Sequence, residues 1–202
     1  MKYFTSDWHL GHESASGLGV RVYSKRPFAT IDEMDKAIVD NTNEVVGYND
    51  DLYIIGDLTL ANYKTKPELT ERILDMVRGL KCGKIFLVPG NHDRSATLDE
   101  LACIGVTILK PLVDLKIGKH KVVLCHYPLL YWNGSNHGSY MLHGHMHNDC
   151  NYPFNARIMD VGVDAHNFRP ISWEKVHETL KDRPLRDHHG GSNEEDSVRE
   201  GE

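Results

Sequence analysis

The chain has 202 residues, 40% hydrophobic and 26% charged, the balance of a soluble globular chain able to bury a real core. Its 23 Lys and Arg against 29 Asp and Glu give a formal net charge of −6, which excludes a broad basic face for nucleic acid while leaving room for a locally positive site. The longest charge-free apolar stretch, residues 122–134, is broken by His126 and Pro128 and is too short for a membrane span, and the N-terminus has no apolar signal core, so a cytoplasmic location is expected.

In chain order the pattern alternates strands with helices and then turns to strands. Residues 2–6 read as a short strand that runs into Asp7. Thr30-Ile31-Asp32-Glu33 has the spacing of a capping box and opens a helix to about residue 46, with Met34, Ile38 and Val45 on its apolar stripe. Residues 51–55 read as a strand stopped by Gly56-Asp57. Residues 67–80 carry Leu69, Ile73, Val77 and Leu80 at helical spacing, with Pro67 in the first turn, where its missing N–H costs nothing. Residues 84–88, almost all apolar, suit a strand covered on both faces. Thr97-Leu98-Asp99-Glu100 reads as a second capping box, opening a short helix ended by Gly105. Strands follow at 107–109, 113–117, 121–125, 140–143 and 157–163, with Gly118 in a hairpin turn, and Ser172 begins a final helix of about ten residues. One domain is expected over 1–183. Residues 184–202 have almost nothing apolar to bury, and a disordered tail is expected there, His188 and His189 included. The four cysteines, Cys82, Cys103, Cys125 and Cys150, form no Cys-x-x-Cys pair and are expected to be buried free thiols.

Histidine is the unusual count, at 13, and many of the 13 stand just after strands. Asp7-Trp8-His9 follows the first strand, Gly56-Asp57 the second and Gly90-Asn91-His92-Asp93 the third. His126 follows the hairpin, and Gly144-His145-Met146-His147 the next strand. Residues i and i+2 of an extended chain point to one side, so Asp7 with His9, and His145 with His147, can each aim two donors at one point. Any one of these pieces is commonplace. Five in order, each after a strand, are not.

The set resembles the calcineurin-like metallophosphoesterase superfamily, with the pattern Asp-x-His, Gly-Asp, Gly-Asn-His-(Asp/Glu), His and Gly-His-x-His over residues 1 to about 180. Ser6-Asp7-Trp8-His9-Leu10-Gly11-His12, Arg26-Pro27-Phe28 and Val161-Gly162-Val163-Asp164 are similar to a small bacterial and phage branch, with Asp160 where that branch often has Asn. The resemblance implies an α/β fold, a four-layer α/β/β/α sandwich of two mixed sheets. It implies two divalent transition metal ions, one held by Asp7, His9 and His147, the other by Asn91, His126 and His145, with Asp57 bridging. Nitrogen and oxygen donors without thiolate suit manganese, iron, zinc or nickel and do not choose among them; manganese is the metal expected. The activity implied is hydrolysis of a phosphomonoester or phosphodiester, a nucleotide or cyclic nucleotide among the candidates, by a metal-bridging hydroxide. His92 is the implied general acid and Asp93 the group that orients it. Asn91, His92, Arg26 and His12 are expected to touch substrate. Tyr127, Trp132 and Tyr140 are candidates for a wall that stacks a base, with packing the preferred reading. Two other functions compete. A protein-interaction scaffold on the same fold, as in a retromer coat subunit, would be expected to have lost a donor or His92, and all are present. A structural single-metal site would leave Asp7, Asp57 and Asn91 unexplained.

Overall fold

The computed structural model describes residues 1–13 and 19–186. Its elements are β1 (Lys2–Thr5), α1 (Val20–Tyr23), α2 (Ile31–Val45), β2 (Asp51–Ile55), α3 (Pro67–Arg78), β3 (Lys84–Val88) and α4 (Ser95–Cys103). There follow β4 (Thr107–Ile108), β5 (Leu112–Ile117), β6 (His120–Cys125), β7 (Tyr140–His143), β8 (Ile158–Asp160), β9 (Ile171–Ser172) and α5 (Trp173–Leu180). Two mixed sheets result. The first runs β4-β3-β2-β1-β9, parallel except for β9, and the second β5-β6-β7-β8, parallel except for β5. With their flanking helices they form an α/β fold.

The period-two rule decides which side chain enters which layer. On β2, Leu52 and Ile54 face the helices, where they meet Met34 and Ile38 of α2, Ile73 and Val77 of α3 and Leu101 of α4. Tyr53 and Ile55 of the same strand face the second sheet and pack with Phe4, Val88, Val122, Leu124, Tyr140 and Leu142, while Trp173, Val176 and Leu180 of α5 close that layer. Each such aliphatic side chain taken from water contributes about 1.5–3 kcal/mol. The far face of the second sheet buries Val123, Met141 and Ile158 under Trp132, Ala156 and Phe154, which come from irregular chain. Among the described residues no helix is long and apolar enough to cross a membrane.

Local chemistry explains most of the boundaries. Thr30 caps α2 as expected: its hydroxyl accepts from Glu33 N–H at 3.1 Å and the Glu33 carboxylate accepts from Thr30 N–H at 3.3 Å. Gly118, at φ +56°, lies in the two-residue turn between β5 and β6. The second capping box does not form. The helix starts earlier, at Ser95, and Thr97 lies inside it, buried, with its hydroxyl donating 2.8 Å to the Ala61 carbonyl. The strand expected over 157–163 stops at Asp160, because the chain there leaves the second sheet. Gly162 bridges to Ser6 and Val163 N–H donates 3.1 Å to the Ser6 carbonyl. This crossover ties the two sheets together directly beside Asp7. Residues 184–186 run against the body, where the Arg186 guanidinium lies 4.2 Å from the centre of the Phe154 ring. The rest of the expected tail, with His188 and His189, lies outside the described residues. The cysteines are free as expected, but none is buried: three are intermediate and Cys103, on α4, is exposed.

Candidate metal centre

β1, β2 and β3 of one sheet and β6 and β7 of the other end at a common edge, and the chain beyond each end carries one of the motifs. Backbone bonds lock these ends together. Asp7 N–H donates 3.0 Å to the Gly56 carbonyl, His9 N–H 2.9 Å to the Asp57 carbonyl, and Gly144 N–H 3.0 Å to the His126 carbonyl. Across the sheets, the Asp7 carboxylate accepts from His145 N–H at 3.0 and 3.1 Å.

The backbone at these positions is unusual. Asp7, His9, Asp57, His145 and His147 all have positive φ, between 49° and 72°. Left-handed backbone at a non-glycine residue costs about 1–3 kcal/mol and persists only where the surroundings impose it; such positions cluster at functional sites. The glycines before them are required by space. A Cβ on Gly56, itself at φ +85°, would stand 2.3 Å from His126 Nδ1, and one on Gly144 would stand 1.9 Å from the Ser6 hydroxyl.

Two groups of donors result. Atoms of Asp7, His9 and His147 lie within 4.8 Å of one another, and so do atoms of Asp57, His126 and His145. Asp57 Oδ2 stands between the groups, 3.6 Å from His9 Nε2 and 3.3 Å from His126 Nε2. Asn91 joins the second group, its Oδ1 3.1 Å from His126 Nε2. His9 Nε2 is buried and has no hydrogen-bond partner. A buried ring nitrogen that has no hydrogen-bond partner and faces two carboxylates is placed to coordinate a cation, and the N/O donor set fits a divalent transition ion.

The charges are arranged accordingly. Burial favours the neutral acid of Asp7 and lifts its carboxyl to about 6. Burial also opposes ionisation of Asp57, but the hydrogen bond and charge of His126, with His92 N–H at 2.9 Å, hold its carboxyl at about 2. His126 is opposed by burial too, yet Asp57 and Asp7 raise it to about 9. Burial drives His9 well below the usual imidazole range, which keeps its nitrogen available as a donor. Burial lowers His145 and His12 as well.

Beneath the donors lies a support that the sequence reading did not identify. His147 Nδ1 donates 2.7 Å to Asp164 Oδ2, and Asp164 receives both arms of the Arg26 guanidinium, at 2.8 and 2.7 Å. The same guanidinium donates to the carbonyls of Asp7 at 2.6 Å and Trp8 at 3.0 Å, and its side chain is wholly buried. Arg26, expected to touch substrate, is instead a brace with its fork in use. Only its coupling to Val161-Gly162-Val163-Asp164 signals this in the sequence, since a buried Arg needs a carboxylate. Asp160 fits its position: its carboxylate accepts from Gly162 N–H at 2.7 Å and Asn148 N–H at 3.1 Å.

Asp93 also needs correcting. Its carboxylate does not orient the His92 ring. It accepts four backbone N–H groups, from Gly90 at 2.8 Å, Asp57 and Leu58 at 2.9 Å and Thr59 at 3.3 Å, and so clasps the loop after β2 to the loop after β3. His92 itself stands at the opening, its side chain 35% exposed and its Nε2 3.9 Å from Asp57 Oδ2. His12 lies beside it, with ring centres 6.0 Å apart, and its Nδ1 is 3.3 Å from His9 Nδ1. Of the three candidate stacking aromatics, Trp132 and Tyr140 are core. Tyr127 alone is near the site, half-exposed, its ring 4.7 Å from that of His145.

The chain is 27% identical over 179 residues to an uncharacterized protein of Methanocaldococcus jannaschii, covering 86% of this chain and 88% of that one. It is 25% identical over 205 residues to the Gene 66 protein of Mycobacterium phage L5, covering 88% and 93%. In three dimensions it resembles a protein of unknown function from Aquifex aeolicus, with a TM-score of 0.64 at 20% identity over 89% of this chain and 99% of that one, a likeness of fold. The family model for calcineurin-like phosphoesterases matches residues 3–199, nearly the whole length, and the chain belongs to that family.

Proposed function

We propose that the protein is a dinuclear metal-dependent phosphoesterase, with one ion held by Asp7, His9 and His147, the other by Asn91, His126 and His145, and Asp57 shared. The observation that carries this reading is the place of Asp57 Oδ2, within 3.6 Å of a ring nitrogen of each group. Divalent ions, if bound by these residues, would supply Lewis acidity to the phosphoryl oxygens and acidify the attacking water. The protein's own part is arrangement. Nδ1 of His147 and Nδ1 of His126 each donate away from the site, to Asp164 and to the Ile55 carbonyl, which turns both Nε2 atoms inward, where a bound ion would take the place of a proton. Asn91 and His12 line the approach to the phosphate ester. His92, half-exposed at the rim, protonates the departing oxygen. Phosphomonoesters and phosphodiesters both suit an opening of this kind, nucleotides among them.

Metal analysis of the protein saturated with manganese is expected to give two equivalents per chain. A ceiling of one equivalent would sink the shared-Asp57 arrangement. His92→Ala is expected to keep both equivalents while turnover falls by about 10²–10⁴-fold. The loss should be greater for alkyl than for nitrophenyl phosphate esters, since an alkoxide needs a proton as it leaves and a nitrophenolate does not. Equal losses for the two would remove His92 from that role.

A further inference from the structure

β5 is the outer strand of the second sheet, and among the described residues no strand pairs with its free edge. It is six residues long, whereas the other outer strands, β4, β9 and β8, have two, two and three. Proteins ordinarily keep exposed edges short, because a row of unpaired N–H and C=O groups invites another strand. We propose that a second copy of this chain pairs here, antiparallel about a two-fold axis at Leu115, so that the two four-stranded sheets become one of eight strands.

The register follows from the hairpin. Ile117 and His120 face each other across a two-residue turn, so the backbone groups of Val113, Leu115 and Ile117 are turned toward β6 and those of Leu112, Asp114 and Lys116 toward the free edge. The side chains of Asp114 and Lys116 are exposed, while Val113, Leu115 and Ile117 pack inward between the sheets. Charge then selects among the two-fold registers. A centre at Asp114 would set carboxylate opposite carboxylate, and a centre at Lys116 would set ammonium opposite ammonium. A centre at Leu115 sets each Asp114 opposite Lys116 of the other copy, twice over. A lone edge lysine would discourage pairing. The aspartate two residues before it reverses that effect in this register only. The same register sets Leu112, 56% exposed, opposite Gly118 of the second copy, where nothing occupies the space that a Cβ would fill.

Sedimentation of the full chain across the micromolar range is expected to approach twice the 23.0 kDa chain mass. Asp114→Lys and Lys116→Asp, each singly, should weaken association at least about tenfold by setting like charges opposite. The double exchange, Asp114→Lys with Lys116→Asp, should restore it. In the unaltered chain, amide exchange at Asp114 and Lys116 should slow as concentration rises. A chain that stays at monomer mass throughout overturns the proposal, as do single reversals that associate like the unaltered chain or a double exchange that fails to recover. Dimerisation without protection at Asp114 and Lys116 overturns it too, and this readout needs no variant to fold.

Discussion

His147 and His126 present the same atom, Nε2, to the two halves of the site, yet they are held by different means. Nδ1 of His147 donates to the Asp164 carboxylate, which is in turn gripped by Arg26, a residue 138 positions earlier in the chain. Nδ1 of His126 donates to the Ile55 carbonyl at the end of β2, and the neighbouring Asp57 loop is clasped by Asp93 through four backbone N–H groups. The first half therefore rests on buried charge and the second on backbone geometry. Burial opposes ionisation of Asp164, but His147 and Arg26 hold its carboxyl below the usual range, so the brace is ionic as it stands. A buried ionic brace fails abruptly when one partner goes, because the other is left charged and unsolvated. A backbone clasp fails by degrees, one hydrogen bond at a time.

Arg26→Ala is the harshest way to break this contrast. It strands the Asp164 carboxylate and the carbonyls of Asp7 and Trp8, and should cost about 3–5 kcal/mol of stability by urea unfolding. A cost under about 1 kcal/mol would mean that the brace is solvated. Asp93→Asn keeps one acceptor oxygen of two and should cost about 1–3 kcal/mol, and because it loosens the loop of the shared Asp57 it should weaken both metal equivalents. Asp164→Asn keeps an oxygen for the guanidinium but alters what His147 sees. It should weaken one of the two metal equivalents by about 10–100-fold and leave the other near its original affinity, read by titration calorimetry. Equal weakening of both would show the halves to be one rigid unit.

The smallest effect is expected away from both halves, at His120, whose ring lies 4.5 Å from that of His177. Burial, with the charges of His177, Lys119 and Arg157, lowers the His120 imidazole below its usual 6.5. The unfolded chain thus binds the proton more readily. This group's contribution is present above pH about 6.5 and is lost as pH falls through its folded value. His120→Gln should slightly shrink the fall in the urea midpoint between neutral and mildly acidic pH. An unchanged fall would assign that pH dependence elsewhere.

Elements whose signals are local are legible in the amino-acid order. The Thr30–Glu33 box and the apolar run of β3 each depend on a few neighbouring residues, and each reads correctly. The extended-chain argument for Asp7 with His9 and for His145 with His147 does not hold, because all four have left-handed backbone, and His145 and His147 fall in different donor groups. The two-residue β9 and the four-residue α1 carry no periodicity to read, and Thr97 has the right spacing for a cap but is used against Ala61. Tertiary structure alone decided what Arg26, Asp93 and Asp164 do. A charged side chain at a loop is equally legible as a ligand contact or a brace until its partners are known, and some of those partners lie as many as 138 positions away. The left-handed backbone at Asp7, His9 and Asp57 is likewise invisible in the letters, since aspartate and histidine have no intrinsic need of it. It is imposed where two sheets, crossing at Ser6 and Gly162, force the ends of their strands to face one point.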